Sequence, residues 1–173
     1  MHARIVLLPI NGENMVNAAA NAGDSTQIGN RTEGRLLAID MGAKRVGVAV
    51  SDELGMTVRP VTTIERRSWK KLLQSIIEQI ENFDARGLVV GLPLNLDGSE
   101  GPAAQEARQV AAKFELSLKI PVYLQDERLT SEEAKSRLQD IQQRERAGDI
   151  DSAAAAIILQ DFIGQHTDST NSD

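Results

Sequence analysis

The fold is decided by residues 35–51, which read RLLAIDMGAKRVGVAVS. Arg35 to Asp40 is a short apolar run that ends in an acid, and this pattern predicts a buried strand. Met41 to Lys44 contains a glycine and predicts a turn. Arg45 to Ser51 alternates valines with smaller residues and predicts a second strand. Because the connection between the two strands is so short, we expect them to be antiparallel.

The residues that follow alternate between strand and helix patterns. The third strand comes soon after the second, while later strands are separated by helices and should be parallel. We therefore expect an α/β fold with a mixed five-stranded sheet, its first three strands antiparallel, and helices on both faces. Pro60 indicates that the third strand lies at an edge. The remaining strands are predicted at Thr57 to Ile64, Leu88 to Leu92 and Pro121 to Gln125, and the helices at 68–83, 102–118, Thr130 to about Ile141, and Ser152 to Ile163.

The two ends of the chain differ in composition from its middle. Residues 1–33 are rich in Asn, Ala and Gly without a clear period, and residues 166–173 are polar. We expect a disordered N-terminal extension, one folded domain at 34–165, and a disordered tail. No apolar run is long enough to span a membrane, so we expect no membrane partner.

Composition excludes several kinds of site. The chain has no cysteine and only two histidines among 173 residues, which argues against thiol nucleophiles, zinc-thiolate sites and a Ser-His-Asp triad. The absence of cysteine is compatible with a reducing cytoplasm. The net charge of −6 alone argues against a nucleic-acid partner. However, Arg59, Arg66, Arg67, Lys70 and Lys71 form a locally basic segment with a single acid, Glu65.

Three acids stand where elements end or begin. Asp40 ends the first strand, and the alternative is that it only starts the turn. Glu127 follows the fifth strand, and the alternative is an exposed acid that pairs with Arg128. Asp151 precedes the last helix, and the alternative is that it is a helix cap, a role for which Asp149 competes. These acids can meet at one sheet edge, where oxygen ligands suit hard divalent cations.

Other candidates would contact the substrate. Lys44 and Arg45 lie on the turn after Asp40 and could contact phosphate, although solvated turn cations are the simpler interpretation. The glycine-rich loop from Gly91 to Pro102 joins a strand end to a helix start, a place suited to phosphate, but it lacks the Lys-Ser/Thr pair of a P-loop.

Four ordered blocks of the sequence closely resemble the YqgF family, bacterial relatives of the RuvC Holliday-junction resolvases. The resemblance covers about residues 35–163. The blocks are Ile39 to Asp52, Val89 to Asn95 with Asp97-Gly98, Asp126 to Ser131, and Asp151 to Ala155 with Ile158-Leu159-Gln160.

The resemblance implies an RNase H-like fold and catalytic, metal-binding acids at Asp40, Glu127 and Asp151, with Mg²⁺ or Mn²⁺ in a two-metal mechanism. We take Lys44, Arg45, Asn95 and Arg128 as the candidate substrate-binding residues. The resemblance also implies a cytoplasmic nuclease that processes the 5′ end of the pre-16S rRNA, with ribosomal particles as further partners.

Several alternatives are compatible with the sequence. Cleavage of four-way DNA junctions needs the same metal chemistry, and the chain could act as a monomer or as a homodimer. The Asp-x-Gly opening also resembles the phosphate loop of actin-like ATPases and sugar kinases, but this chain shows no second copy of such a domain. A non-catalytic RNA-binding module is a third alternative, which the acid triplet disfavours.

Overall fold

The computed structural model describes residues 34–129 and 147–167. Within these ranges the chain forms five strands, three α-helices and one short 3₁₀ helix. No helix there combines the length and hydrophobicity that a bilayer crossing requires. The helix predicted from Thr130 to about Ile141 lies outside the described residues. The elements are β1 (Leu36–Met41), β2 (Arg45–Ser51), β3 (Val58–Glu65), α1 (Trp69–Phe83), β4 (Gly87–Leu92), α2 (Pro102–Ser117), β5 (Val122–Asp126), the 3₁₀ helix (Glu127–Leu129) and α3 (Ala147–Thr167).

The five strands form one mixed sheet in the order β3-β2-β1-β4-β5. β1 pairs antiparallel with β2, and β2 antiparallel with β3, while β4 runs parallel to both β1 and β5. The predicted sheet and its antiparallel opening are therefore confirmed. β3 is an edge strand, as Pro60 indicated, and Pro60 pairs with Ala49 beside a register shift.

Helices α1 and α2 cover one face of the sheet. Leu37 and Ile39 of β1 and Val46 and Val48 of β2 point to this face and are fully buried. They pack in one cluster with Leu72 and Ile76 of α1, Phe114 of α2 and the inward residues of β4 and β5. Burying such aliphatic side chains contributes roughly 1.5–3 kcal/mol each.

Helix α3 covers the opposite face, so helices lie on both sides as expected. Because side chains alternate along a strand, Leu36 and Ala38 of β1 face this helix and pack with Ile158, Leu159 and Phe162. The same alternation directs Asp40 to the α3 face.

The predicted limits of α3 are wrong, whereas the other described boundaries agree with prediction to within one residue. The helix begins at Ala147 rather than Ser152 and continues to Thr167 rather than ending at Ile163. At its end, His166 Nδ1 lies 2.7 Å from the Phe162 carbonyl oxygen, and the two rings are 4.2 Å apart. This packing extends the helix past a segment whose polar sequence predicts fraying.

Candidate active site

Asp40 lies inside β1 rather than in the turn that follows. It is the last residue but one of the strand and pairs with Gly47 of β2. Its half-buried side chain shares the α3 face with Leu36 and Ala38. The strand position directs this carboxylate across the sheet surface toward the last helix.

Asp151 is brought to Asp40 by a close approach between α3 and the sheet. A Cβ atom built on Gly47 would overlap the backbone carbonyl of Asp151 and would come within 2.8 Å of the Ser152 nitrogen. Since Gly47 is the strand partner of Asp40, the α3 backbone at Asp151 lies beside Asp40. Asp151 is the fifth residue of the helix and not its cap, which corrects the expectation that the helix starts after it.

Glu127 reaches the same edge from the opposite side. It follows β5 directly and opens the 3₁₀ helix. A Cβ atom on Gly91 of β4 would overlap Glu127 Oε1 and approach Ile158 Cδ1 to 2.7 Å. Because β4 lies between β1 and β5, the carboxyl group lies over β4 on the way to Asp40.

The electrostatics of Asp40 and Glu127 reflect this convergence. Burial, and then the charge of Asp151, raises the pKa of Asp40 from 3.8 to about 6. Burial, and then the charges of Asp40 and Asp126, raises the pKa of Glu127 from 4.5 to about 7. Like charges held close disfavour ionisation of both groups. Asp40 thus couples to both other acids, and the structure brings all three to one sheet edge.

Arg45 forms an ion pair with Asp151 at this edge. Its Nε lies 2.6 Å from Asp151 Oδ2, and the two side chains are 45% and 25% exposed. The pair joins the first residue of β2 to α3, across 106 residues of sequence. Arg45 is therefore at the site, and it acts as a counter-ion to one of its acids.

The donor chemistry of the three acids fits a hard divalent cation. Carboxylate oxygens are the ligands that Mg²⁺ and Mn²⁺ prefer. Burial first, and then the neighbouring acids, raises the pKa of Asp40 and Glu127, and a bound cation would offset this penalty on the charged carboxylates. In residues 34–129 and 147–167, no three acidic side chains stand close enough to hold one ion jointly. In this conformation the Asp151 carboxylate contacts Arg45 instead.

The other predicted substrate-binding residues surround this edge. Lys44 is exposed on the β1–β2 turn, and its carbonyl accepts a hydrogen bond from the Arg66 nitrogen at 2.9 Å. Arg128 binds Asp126, a buried acid that the sequence analysis did not single out, through contacts of 2.6 to 3.1 Å. Its guanidinium also lies against the turn at Gly98.

Asn95 holds its own loop together. Its Nδ2 donates to Ser99 Oγ at 2.9 Å, and its carbonyl accepts from the Gly98 nitrogen at 2.8 Å. The exposed Asn95 side chain thus has a visible structural role, and contact with substrate stays a prediction.

Comparison with known proteins gives concordant results. The family model described as "RuvX: Holliday junction resolvase" matches residues 34–165. A protein of Anaeromyxobacter sp. (strain K) named "Putative pre-16S rRNA nuclease" is 47% identical over 131 residues, which are 75% of this chain and 96% of the relative. A protein of Syntrophus aciditrophicus (strain SB) with the same name is 40% identical over 131 residues, 75% of this chain and 87% of the relative.

A solved structure supports the fold. The structure described as "T. thermophilus RuvC in complex with Holliday junction substrate" aligns with a TM-score of 0.51 at 13% identity, covering 78% of this chain and 98% of that one. At this identity the likeness concerns the fold, and it confirms the expected RNase H-like architecture.

Proposed function

This chain belongs to the RuvX family and is a nuclease, and we propose that it hydrolyses phosphodiester bonds with divalent cations held by Asp40, Glu127 and Asp151. We further propose that its substrate is the precursor of 16S rRNA, as the names of its relatives suggest. This substrate implies a cytoplasmic protein that meets RNA free or in ribosomal particles.

One observation carries the metal assignment. Asp40 is electrostatically coupled to both Asp151 and Glu127, although the three residues come from β1, α3 and the 3₁₀ helix. Glycines at positions 47 and 91 permit the approach. Although the three side chains are not close enough to hold one ion jointly in this conformation, repulsion between their charges at one sheet edge is unfavourable without a cation and supports a metal-dependent activity.

Divalent cations held by these acids would stabilise charge on the attacking and leaving oxygens of a phosphodiester. The residues of the chain bind and position the reactants. Glu127 follows β5 and faces the same sheet edge, so its carboxylate could help hold the cations and orient the attacking water as the oxygen–phosphorus bond forms and the ester bond breaks. Arg45 and Lys44 stand beside the acids and can orient the substrate phosphate.

Cleavage of a four-way DNA junction is the second candidate function. The family model carries the resolvase description, and the RuvC complex shares the fold. A junction resolvase should act as a symmetric dimer, whereas an enzyme that trims RNA can act as a monomer.

A direct comparison of substrates tests the proposal. Purified protein is incubated with a precursor 16S rRNA fragment, free or in a ribosomal particle, and with a four-way DNA junction, each with Mg²⁺, with Mn²⁺ or with chelator. We expect cation-dependent cleavage of the RNA at its 5′ side and none by Asp40→Asn. Cleavage of the junction alone would replace the RNA assignment, and cleavage in chelator would contradict the metal assignment.

A further inference from the structure

A cavity of about 300 Å³ opens beside the β1–β2 turn, on the face of the sheet that α1 and α2 cover. Ala43 of the β1–β2 turn, the start of α1 and the middle of α2 form its walls. Buried Leu72 and Val110 are among its lining residues. Its volume is at the lower end of the range for ligand sites, and we call it the Trp69 cavity.

The lining of the Trp69 cavity is basic in an otherwise acidic protein. Three cations, Arg66, Arg67 and Lys113, line it together with one acid, Glu106, whereas the whole chain carries a net charge of −6. Arg66 pairs with Glu106 at 2.6 Å and is largely buried. Arg67 and Lys113 are exposed and therefore accessible to an anion.

The Trp69 cavity is structurally continuous with the candidate active site. The side-chain Nη1 of Arg66 donates to the Gly42 carbonyl at 2.9 Å, and the backbone nitrogen of Arg66 donates to the Lys44 carbonyl at 2.9 Å. The turn that carries Asp40 into β2 is thus held by a residue of the cavity. Ala43 is three residues from Asp40, a separation of at most about 11 Å along the chain.

An aromatic ring beside these cations completes the arrangement. Lys113 Nζ lies 5.7 Å from the centre of the Trp69 ring, which packs against Phe114 at 4.8 Å. A basic groove with an aromatic side chain is the combination that binds single-stranded nucleic acid without reading its sequence.

We propose that the Trp69 cavity binds the phosphodiester backbone of the substrate strand a few nucleotides from the bond that is cleaved, with Arg67 and Lys113 contacting phosphate. The location of this second site rests on the proposed nuclease function. Its chemistry, a cationic cavity for a polyanion, can be measured without cleavage. Arg66 is the positioning residue that joins the cavity to the β1–β2 turn.

The test uses Trp69 as its reporter, because it is the single tryptophan of the chain. The full-length protein is titrated in chelator with single-stranded RNA and DNA oligonucleotides of identical sequence. Binding is followed by Trp69 emission and by the anisotropy of a labelled strand. We expect a saturable change in Trp69 emission that coincides with the anisotropy change, since phosphate at Lys113 alters the cation above the ring. A difference between the RNA and DNA arms identifies which backbone the cavity prefers.

Matched variants make the test specific. Lys113→Glu and Arg67→Glu should weaken binding several-fold and lower the slope of log affinity against log salt by about 0.7 each. Arg86→Glu is the control for Arg67→Glu. Arg86 and Arg67 each form an ion pair with an acid two residues earlier, Asp84 and Glu65, and the two arginine side chains are similarly exposed. Lys119→Glu controls for Lys113, being an exposed lysine just after α2 that does not line the cavity.

The outcomes separate this inference from the proposed function. Equal weakening by the variants and their controls, or anisotropy without a Trp69 response, would overturn the cavity assignment. Absence of any oligonucleotide binding would overturn it as well. If the protein binds oligonucleotides in this way in chelator but cleaves nothing with Mg²⁺ or Mn²⁺, the cavity assignment would be supported and the proposed nuclease mechanism contradicted.

Discussion

Arg45 Nε lies 2.6 Å from Asp151 Oδ2, so the first residue of β2 neutralises an acid of the candidate metal site. A cation that binds Asp151 has to compete with this guanidinium. Release of Arg45 from Asp151 would then free its charge for the substrate phosphate. Metal binding and substrate binding would be coupled through this one side chain.

Arg45→Gln should therefore bind Mn²⁺ more tightly than the wild type. Partly exposed ion pairs contribute about 0.2–1 kcal/mol, so we expect a gain of about 1.4- to fivefold, measured by isothermal titration calorimetry. Lys44→Gln is the control, since it removes a neighbouring exposed charge outside the pair. Weaker or unchanged Mn²⁺ binding by Arg45→Gln would show that Arg45 does not compete with the cation.

The three acids should each be required for cleavage. Asp40→Asn, Glu127→Gln and Asp151→Asn should each reduce the rate by roughly a hundredfold or more, since cation stabilisation is worth several kcal/mol. Far-UV circular dichroism should stay unchanged. Glu53→Gln, at an exposed position of the β2–β3 turn, serves as the control. If one acid variant keeps nearly full activity, that residue does not belong to the site.

Glycine at position 47 should be essential for the approach of α3. Gly47→Ala forces a Cβ into helix backbone, and we expect it to cost at least about 1–3 kcal/mol of unfolding free energy. Gly91→Ala meets only side-chain ends and should lower activity more than stability. Gly164→Ala is the matched control, because nothing lies within 4 Å of its added Cβ and alanine favours the helix. If calorimetric melts show that Gly47→Ala is as stable as Gly164→Ala, the close packing of α3 on Gly47 would be contradicted.

Stability without metal should fall as pH rises. Both raised pKa values belong to carboxyls, so the folded protein holds these protons more tightly than the unfolded chain does. The penalty is absent below about pH 4 and grows as pH rises toward the folded pKa values of about 6 and 7.

In chelator at neutral pH, Asp40→Asn should therefore be more stable than the wild type by an amount on the order of 2–3 kcal/mol, and equally stable near pH 4. Mg²⁺ should stabilise the wild type more than the variant. Thermal melts across this pH range, with chelator and with Mg²⁺, measure both effects. A variant less stable than the wild type at neutral pH would indicate that Asp40 has a structural role only.

Much of the fold could be predicted because its signals are local. The alternating valines of β2 and the helical spacing of α1 place each element to within one residue. The sheet order follows from connection lengths, since short turns require antiparallel neighbours and helical crossovers require parallel ones.

The parts of the site that depend on distant packing could not be predicted. Asp149 and Asp151 have the local signature of a helix start, but the helix begins at Ala147, and its backbone packs on Gly47 at Asp151. Gly47 stands between Val46 and Val48 and looks like any small strand residue. The pairing of Arg45 with Asp151 spans 106 residues, and no local sequence pattern around either residue predicts it.

The positions of these acids also affect what an unfinished polypeptide can do. Asp40 is in the first strand and Asp151 in the last described helix, so a chain cut short anywhere before residue 151 lacks part of the proposed site. Fragments from broken messages or stalled synthesis would be catalytically silent. Under the proposed function, incomplete copies of the chain would therefore leave ribosomal RNA uncut.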